Sequence, residues 1–259
     1  MNYGLYISAS GALNATYRQD LHSSNLANLN TVGFKPDFAL TRQRDAASVE
    51  DSLGYLPSNA MLERLGAGVM SDRTRVDFSQ GVIRPTGNEL DLAIRGEGFF
   101  TLLAEHDEGN NRLRLTRDGR FTLDATGRLV SATSGMPVVD VKGQPIQLNN
   151  NGPVTVEHDG TIVQNEEAVG MISIVELPNR NALRKGADGL FVADQAQMAN
   201  RRQASGHIEQ HAIEEAALNE IGALMAIQSA SRDAQANLGM IGYHDRLMNQ
   251  AINRFGRVT

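Results

Sequence analysis

Between Glu214 and Arg254 the apolar residues repeat at helical intervals, in the longest run of the chain without Pro or a cluster of turn residues. One row is spaced by seven residues and consists of Ile227, Ala234, Ile241, Met248 and Phe255. A second row, offset from the first by three residues, consists of Leu224, Leu238 and Ile252. Two such rows form a narrow apolar stripe, which is typical of a helix that packs against another helix.

The only other segment that can plausibly supply a partner helix lies at the opposite end of the chain. From Tyr3 to about Asn28, apolar residues recur at helical spacing among small residues. Gly4 and Gly11 each weaken an isolated helix by about 1 kcal/mol relative to Ala, so this helix needs packing partners. We expect residues 1–30 to pair with a C-terminal helix at 207–259. The expected seam and assembly residues are Tyr6, Leu13, Tyr17, Leu21, Leu224, Ile227, Leu238, Ile241, Met248 and Ile252.

The N-terminal helix is predicted to end near Asn28 to Asn30, where Asn and Gly accumulate and Pro36 follows. No sustained periodicity follows as far as Ser71. A stretch of this length without a pattern is uncommon inside a compact domain. We interpret residues 31–72 as an extended arm.

Short alternating runs separated by Gly and Asp-Gly turns fill residues 73–206, and Leu190-Phe191-Val192 is the last predicted strand. Turns this short leave no room for helical crossovers, which indicates a mainly antiparallel body. The predicted fold class is therefore α+β, a β-rich central body with long N- and C-terminal helices that pair as a coiled-coil-like layer.

Composition narrows the possible functions. The formal charge of −6 opposes nucleic-acid binding, and the chain has no cysteine for disulfide or thiolate chemistry. No apolar run approaches the roughly 18 residues of a membrane span, and the N-terminus lacks the features of a cleavable secretion signal.

Several residues resemble parts of chemical motifs without completing them. Gly96-Glu-Gly98 lacks the third glycine of a dinucleotide-binding turn, so it is read as a turn that leads into a strand. His207 and His211 have the spacing of a helical metal pair but no third ligand, and are read as solvated residues at a helix start. We expect no catalytic, cofactor or metal site.

Paired carboxylates for hydrolysis are a competing interpretation. Asp118, Asp124 and Asp140 could supply them, although Asp118 and Asp124 fall at predicted turns. This alternative is a periplasmic, glycan-active hydrolase, and an acidic cleft converging on Asp118 and Asp124 would favour it. A secreted adhesin or cap-like binding module is a third possibility.

Three stretches in order are together similar to the bacterial flagellar axial proteins, the rod and hook components of the basal body. They are Ser24–Lys35, Asp91–Phe100 and Leu115–Val130. The first resembles the family signature after the N-terminal helix, carried here by Asn25, Leu26, Ala27, Asn28, Thr31, Gly33, Phe34 and Lys35. Residues 1–9 look closest to the proximal rod protein, and the chain length also suits the distal one.

The resemblance implies a structural subunit without enzymatic activity. Its expected partners are copies of itself, other rod and hook subunits and the flagellar type III export apparatus, with no nucleic acid and no membrane insertion. It implies export without a cleaved signal and assembly into a periplasm-spanning helical tube that transmits torque.

Overall fold

The computed structural model describes residues 3–45, 68–104, 113–149, 152–186 and 189–255. The chain divides into two compact units. The helical unit comprises Met1–Ala27, Asp37–Asp77 and Leu218–Thr259, and the β unit comprises Asn28–Pro36 and Phe78–Ala217. The predicted α+β class, with long terminal helices and a central antiparallel β-rich body, is confirmed.

Two long helices dominate the helical unit, α1 at Tyr3–Ala27 and α3 at Glu220–Phe255. They run antiparallel, because Gly4 lies against His244 and Gly11 lies against Asn237. A step of seven residues up α1 therefore matches a step of seven down α3. Arg18 and Asp233 continue this alignment with a 3.6 Å ion pair.

Helix α3 begins thirteen residues later than the predicted start at 207. Residues 207–210 and 212–214 form strands instead, because each has a partner strand in the β unit. The helix starts where Asn219 places its Oδ1 3.1 Å from the amide nitrogen of Gly222 and so caps the first turn.

The described part of the predicted arm forms two short antiparallel strand pairs. Strand β1 (Asp37–Phe38) pairs with β4 (Arg75–Val76), and β2 (Thr41–Gln43) pairs with β3 (Val69–Ser71). This ribbon is attached to α1, since Asn14 donates to the Ser71 hydroxyl at 3.0 Å. Residues 46–67 lie outside the described part of the chain, so the rest of the arm stays a prediction.

The strands of the β unit are short. They are β5 (Ile83–Pro85), β6 (Leu92–Arg95), β7 (Phe99–Leu103), β8 (Leu113–Thr116), β9 (Phe121–Leu123), β10 (Leu129–Ser131), β11 (Val154–Val156), β12 (Thr161–Gln164), β13 (Glu167–Met171), β14 (Ile174–Glu176), β15 (Arg184–Lys185), β16 (Phe191–Val192), β17 (Arg202–Gln203), β18 (His207–Gln210) and β19 (Ala212–Glu214). A 3₁₀ turn at Arg180–Ala182 and a short helix α2 at Gln195–Ala199 complete the unit.

A six-stranded sheet in the order β15-β16-β8-β7-β14-β17 is the largest in the β unit. The pairs β15–β16 and β7–β8 are consecutive along the chain, the other three neighbouring pairs in this sheet are not, and all five pairings are antiparallel. The core contains Leu92, Phe100 and Leu102 from β6 and β7, together with Leu129 and Ile162. Strands β17, β18 and β19 lie after Val192, where the sequence predicts no further strand. They are difficult to predict because each contains only two to four residues.

Close packing of α1 on α3 at Gly11 predicts a size limit there. A Cβ at Gly11 would lie 2.7 Å from the Asn237 side chain. We expect Gly11→Leu to force the helices apart and to lower the free energy of unfolding by about 1–3 kcal/mol. The measurement is thermal unfolding followed by circular dichroism at 222 nm.

Gly239→Leu on α3 is the matched control, because a Cβ at Gly239 meets nothing within 4 Å. The control should stabilise the helix by up to about 1 kcal/mol. A loss of stability equal to that of Gly11→Leu would contradict the packing described here.

Candidate assembly site

Glycine, alanine and serine make up much of the seam between α1 and α3. On α3, Ala223, Ala230 and Ala234 are buried. The same row of α3, in which residues alternate at steps of three and four, also contains four partly buried residues. They are Ile227, Asn237, Ile241 and His244. On α1, Ser8 and Ala15 are buried at matching steps from Gly4, Gly11 and Arg18. The seam is therefore narrow and close, as in a coiled coil, but poor in apolar surface.

The predicted seam residues divide into two groups. Ile227, Ile241, Tyr17 and Leu21 are partly buried. Tyr6, Leu13, Leu224, Leu238, Met248 and Ile252 are exposed, Leu13 to 74% and Leu238 to 58%. The prediction that these six lie in the seam between α1 and α3 is wrong, and their expected role in assembly is taken up below.

The error has a geometric cause. Two rows lie three residues from the Ile227 row, one before it and one after it. The row before it contains Leu224, Leu238 and Ile252, and hydropathy alone predicts that this row packs against α1. In the structure, the glycines of α1 pack against the row after it, which contains Ala230, Asn237 and His244.

As a result, large apolar side chains flank the seam of α3 on its outer sides. Leu224, Leu238 and Ile252 lie on one flank, and Met240 and Leu247 lie on the other, all exposed. We call these five residues the apolar flanks. On α1, Tyr6 and Leu13 are exposed and seven residues apart. Several large apolar side chains exposed on one helix pair indicate an interaction site.

Asn25 of the family motif joins α1 to the ribbon. Its side chain is buried, donates to the Asp37 carbonyl at 2.8 Å and accepts from the Asp37 amide at 3.0 Å. The amide therefore pairs with the backbone as a neighbouring strand would. Beside it, Leu26 is partly buried and Ala27, the last residue of α1, is exposed.

The next motif residues form a turn in the β unit. The Thr31 hydroxyl donates to Asn28 Oδ1 at 3.2 Å, and the Thr31 amide donates to the Asn28 carbonyl at 3.0 Å. Gly33 has a φ of 68° and donates its amide to the Glu214 carbonyl at 2.7 Å. A side chain at Gly33 would collide with the Arg117–Asp118 backbone, so both conformation and space require glycine.

Phe34 and Lys35 complete the motif inside the β unit. Phe34 is buried, and Lys185 Nζ lies 3.9 Å from the centre of its ring, a cation–π contact. Lys185 also donates to the Lys35 carbonyl at 2.7 Å. Both contacts attach the end of the motif to strand β15.

Lys35, Arg117 and Glu214 form a buried charge cluster. Their side chains are 1%, 4% and 0% exposed. Lys35 Nζ donates to Glu214 Oε1 at 2.6 Å, and Arg117 Nη1 donates to Glu214 Oε2 at 3.0 Å. One carboxylate is thus shared by two cations. The Gly81 amide, 2.9 Å from Oε1, is a further donor to it.

Carbonyl oxygens accept from other donors of these cations, while Arg117 Nε is buried without a hydrogen-bond partner among the described residues. Lys35 Nζ donates to the Ser79 carbonyl at 2.7 Å, and Arg117 donates to the carbonyls of Ile94 and Gly96 at 3.2 and 2.7 Å. Burial lowers the pKa of the Arg117 guanidinium, and the attraction of Glu214 opposes that shift. Each buried charge therefore has partners, which is the condition for its burial.

The family motif in the sequence points to Lys35 but not to its two partners. The predicted helix at 207–259 includes Glu214, whereas this residue ends strand β19. Arg117 was read only as part of a hairpin motif. An acid beside Ala212 and Ile213, in an apolar run too short for a helix, was the available signal.

The aspartates considered for hydrolysis support turns. Asp118 binds Arg120 at 2.7 Å and accepts from the Thr133 hydroxyl at 2.7 Å. Asp124 accepts from Thr126 and Arg128, and these hydrogen bonds hold its pKa well below the usual range. Asp140 accepts from the amides of Lys142 and Gln144, both at 2.8 Å. All three carboxylates thus have local backbone or side-chain roles.

The remaining motif fragments also lie in turns and strands. Gly96 and Gly98, with φ values of 102° and 133°, form the predicted turn between β6 and β7. His207 lies in β18 rather than at a helix start, and His211 occupies the turn after β18 with a φ of 62°. Among the described residues, no three His, Cys, Asp or Glu side chains are grouped for metal binding, and no helix is long and apolar enough to span a membrane.

Similarity to known proteins places this geometry in a family. Residues 5–35 match the family described as flagella basal body rod protein, and residues 93–164 match the flagellar hook protein FlgE/F/G D1 domain. The chain is 29% identical to the flagellar basal-body rod protein FlgF of Caulobacter vibrioides over all of both chains. It is 30% identical to FlgF of Mesorhizobium japonicum over 91% of this chain and 92% of that one. The chain belongs to the flagellar basal-body rod protein family.

Within the flagellar basal-body rod protein family, similarity to FlgG covers less of the chain. FlgG of Buchnera aphidicola is 35% identical over 46% of each chain. The two matched family regions contain α1 with its motif and strands β6 to β12. The predicted resemblance to axial proteins and the predicted role as a structural rod subunit are confirmed.

The two hydrogen bonds of Asn25 predict a specific loss in this rod-family protein. Asn25→Ala should remove both of these hydrogen bonds from the partly buried backbone of Asp37 and lower the free energy of unfolding by about 1–3 kcal/mol. Urea unfolding followed by circular dichroism measures the effect. Asn30→Ala, at an exposed position five residues later, should change stability by no more than about 0.5 kcal/mol. Equal effects of the two substitutions would contradict the assigned role of Asn25.

Proposed function

We propose that this chain polymerises with copies of itself and with other flagellar axial subunits through the apolar flanks of α3 and the Tyr6–Leu13 row of α1. The single observation that carries the proposal is the exposure of large apolar side chains beside a seam of small ones. Burying one such side chain stabilises an association by about 1.5–3 kcal/mol. Several together can order two helices whose own seam is weak.

The proposed assembly is an open helical tube. A surface on one subunit that meets a different surface on the next generates a filament when the rotation does not close. The α3 flanks and the α1 row differ in sequence, so a contact between them has this head-to-tail character. We propose that the tube is the periplasm-spanning rod and that it transmits torque to the hook.

We further propose that the chain reaches the rod through the flagellar type III export apparatus. Such export would take the subunit unfolded or partly folded, and helices that depend on neighbours for their stability suit that route. Both FlgF relatives are covered over nearly all of their length, which supports an FlgF-like place in the rod. The proposed role involves no catalysis, cofactor, nucleic acid or membrane insertion.

Leu238→Asp tests the assembly surface. Leu238 is exposed in the monomer, so a charge there should change the free energy of unfolding by less than about 0.5 kcal/mol. In the assembled tube the same charge would be buried without a partner, which is strongly unfavourable. In a strain that lacks the wild-type copy, we expect the variant to be exported but absent from purified basal bodies, and the cells to be non-motile.

Gln235→Asp is the matched control, an exposed residue one turn earlier on α3 that lies outside the apolar flanks. It introduces the same charge and should support motility. Incorporation of Leu238→Asp at the level of Gln235→Asp would show that the apolar flanks are not the assembly surface.

A further inference from the structure

Glu214 joins parts of the β unit that are far apart along the chain. It meets Lys35 across 179 residues of sequence and Arg117 across 97. It also accepts from the Gly81 amide across 133 residues, and its own carbonyl accepts from Gly33. Three separate segments of the β unit, at residues 33–35, 81 and 117, therefore converge on one residue near its C-terminal end.

The convergence matters because the residues involved are charged. Lys35 and Arg117 are buried, and the carboxylate that both contact is Glu214. Packing Arg117 into the β unit before Glu214 is in place would bury a guanidinium against carbonyl oxygens and the face of Phe99, without this carboxylate. Removing one member of such a buried cluster is strongly destabilising, since the charge left behind is uncompensated.

We propose that Glu214 controls when the β unit folds, so that a chain lacking the β19 strand cannot complete its core. Glu214 is delivered last of the three charged residues by any process that supplies the chain from its N-terminus. Until then the segments that carry Lys35 and Arg117 remain undocked. The β unit then closes in one cooperative step that includes β19.

The consequence for the rod rests on the proposed export of the chain. A subunit that passes a narrow channel must not fold while part of it is still inside. Because the core is completed only when Glu214 is in place, residues 28–206 alone do not form a complete core, either before or after they pass the channel. The charge cluster thereby links folding of the β unit to delivery of nearly the whole chain.

Folding kinetics of the purified full-length chain test the proposal. If the contacts of Glu214 form before the rate-limiting step, Glu214→Gln should slow refolding by about as much as it lowers the folding equilibrium constant, with little change in the unfolding rate. The expected decrease is on the order of a hundred-fold or more. If Glu214→Gln does not fold, Glu214→Asp, which keeps the charge on a shorter side chain, replaces it in the same measurement.

Glu215→Gln is the matched control. Glu215 is the next residue, and its ion pair with Arg84, 2.6 Å long, is exposed. An exposed pair contributes little, so both rates should change by less than a few-fold. A Glu214 variant that changes only the unfolding rate, or that is as mild as Glu215→Gln, would overturn the proposal.

A variant with the apolar combination Lys35→Met, Arg117→Met and Glu214→Leu tests the link to export. Apolar replacement of a buried ion cluster is often neutral or stabilising, and in one measured case it also speeded folding. We expect refolding faster than wild type and less secreted protein in a strain carrying the variant. Wild-type refolding and secretion would overturn the control of folding by Glu214, while leaving the assembly surface to be judged by Leu238→Asp.

Discussion

The structure of the helical unit depends on the close approach of α1 and α3, which only small residues permit. Gly4 and Gly11 leave room for the side chains of His244 and Asn237, and the buried alanines of α3 complete the other side. Leu224 and Leu238 lie outside this seam and are exposed. The exposed apolar surface on which the proposed assembly depends is thus a direct result of how the seam is built.

The β unit is organised by a different constraint, the shared carboxylate of Glu214. An ion cluster inside a protein contributes less to stability than its short distances suggest, because the charges lose their hydration. It does impose geometry, since each donor must meet its acceptor for the burial to be tolerated. Gly33 meets this geometry with a left-handed backbone, and Arg117 meets it from the connection that follows β8.

The fold class was predictable because it depends on strong local signals. The heptad repeat of α3, the Asn-rich end of α1 and the Asp-Gly turns each give a short-range pattern. The start of α3 was misplaced because β18 and β19 are held by β6 and β5, which lie more than a hundred residues earlier in the sequence. Lys35 could be identified through a family motif, whereas Glu214 and Arg117 are brought to it only by the tertiary fold.

Seam residues were harder to predict than helices, and the reason bears on function. Hydropathy ranks Leu224 and Leu238 above Ala230 as core residues, and for a protein that folds alone this ranking is usually correct. Here Leu224 and Leu238 are exposed, and the seam holds alanine, asparagine and histidine beside the partly buried Ile227 and Ile241. A pair built in this way gains little from its own contact, and most of its apolar surface remains for other chains to cover. By mass action, association of such chains stabilises the helices as the subunit concentration rises. Large apolar residues outside the seam made the seam difficult to predict from the sequence. The same arrangement is expected of a subunit that completes its structure in a polymer.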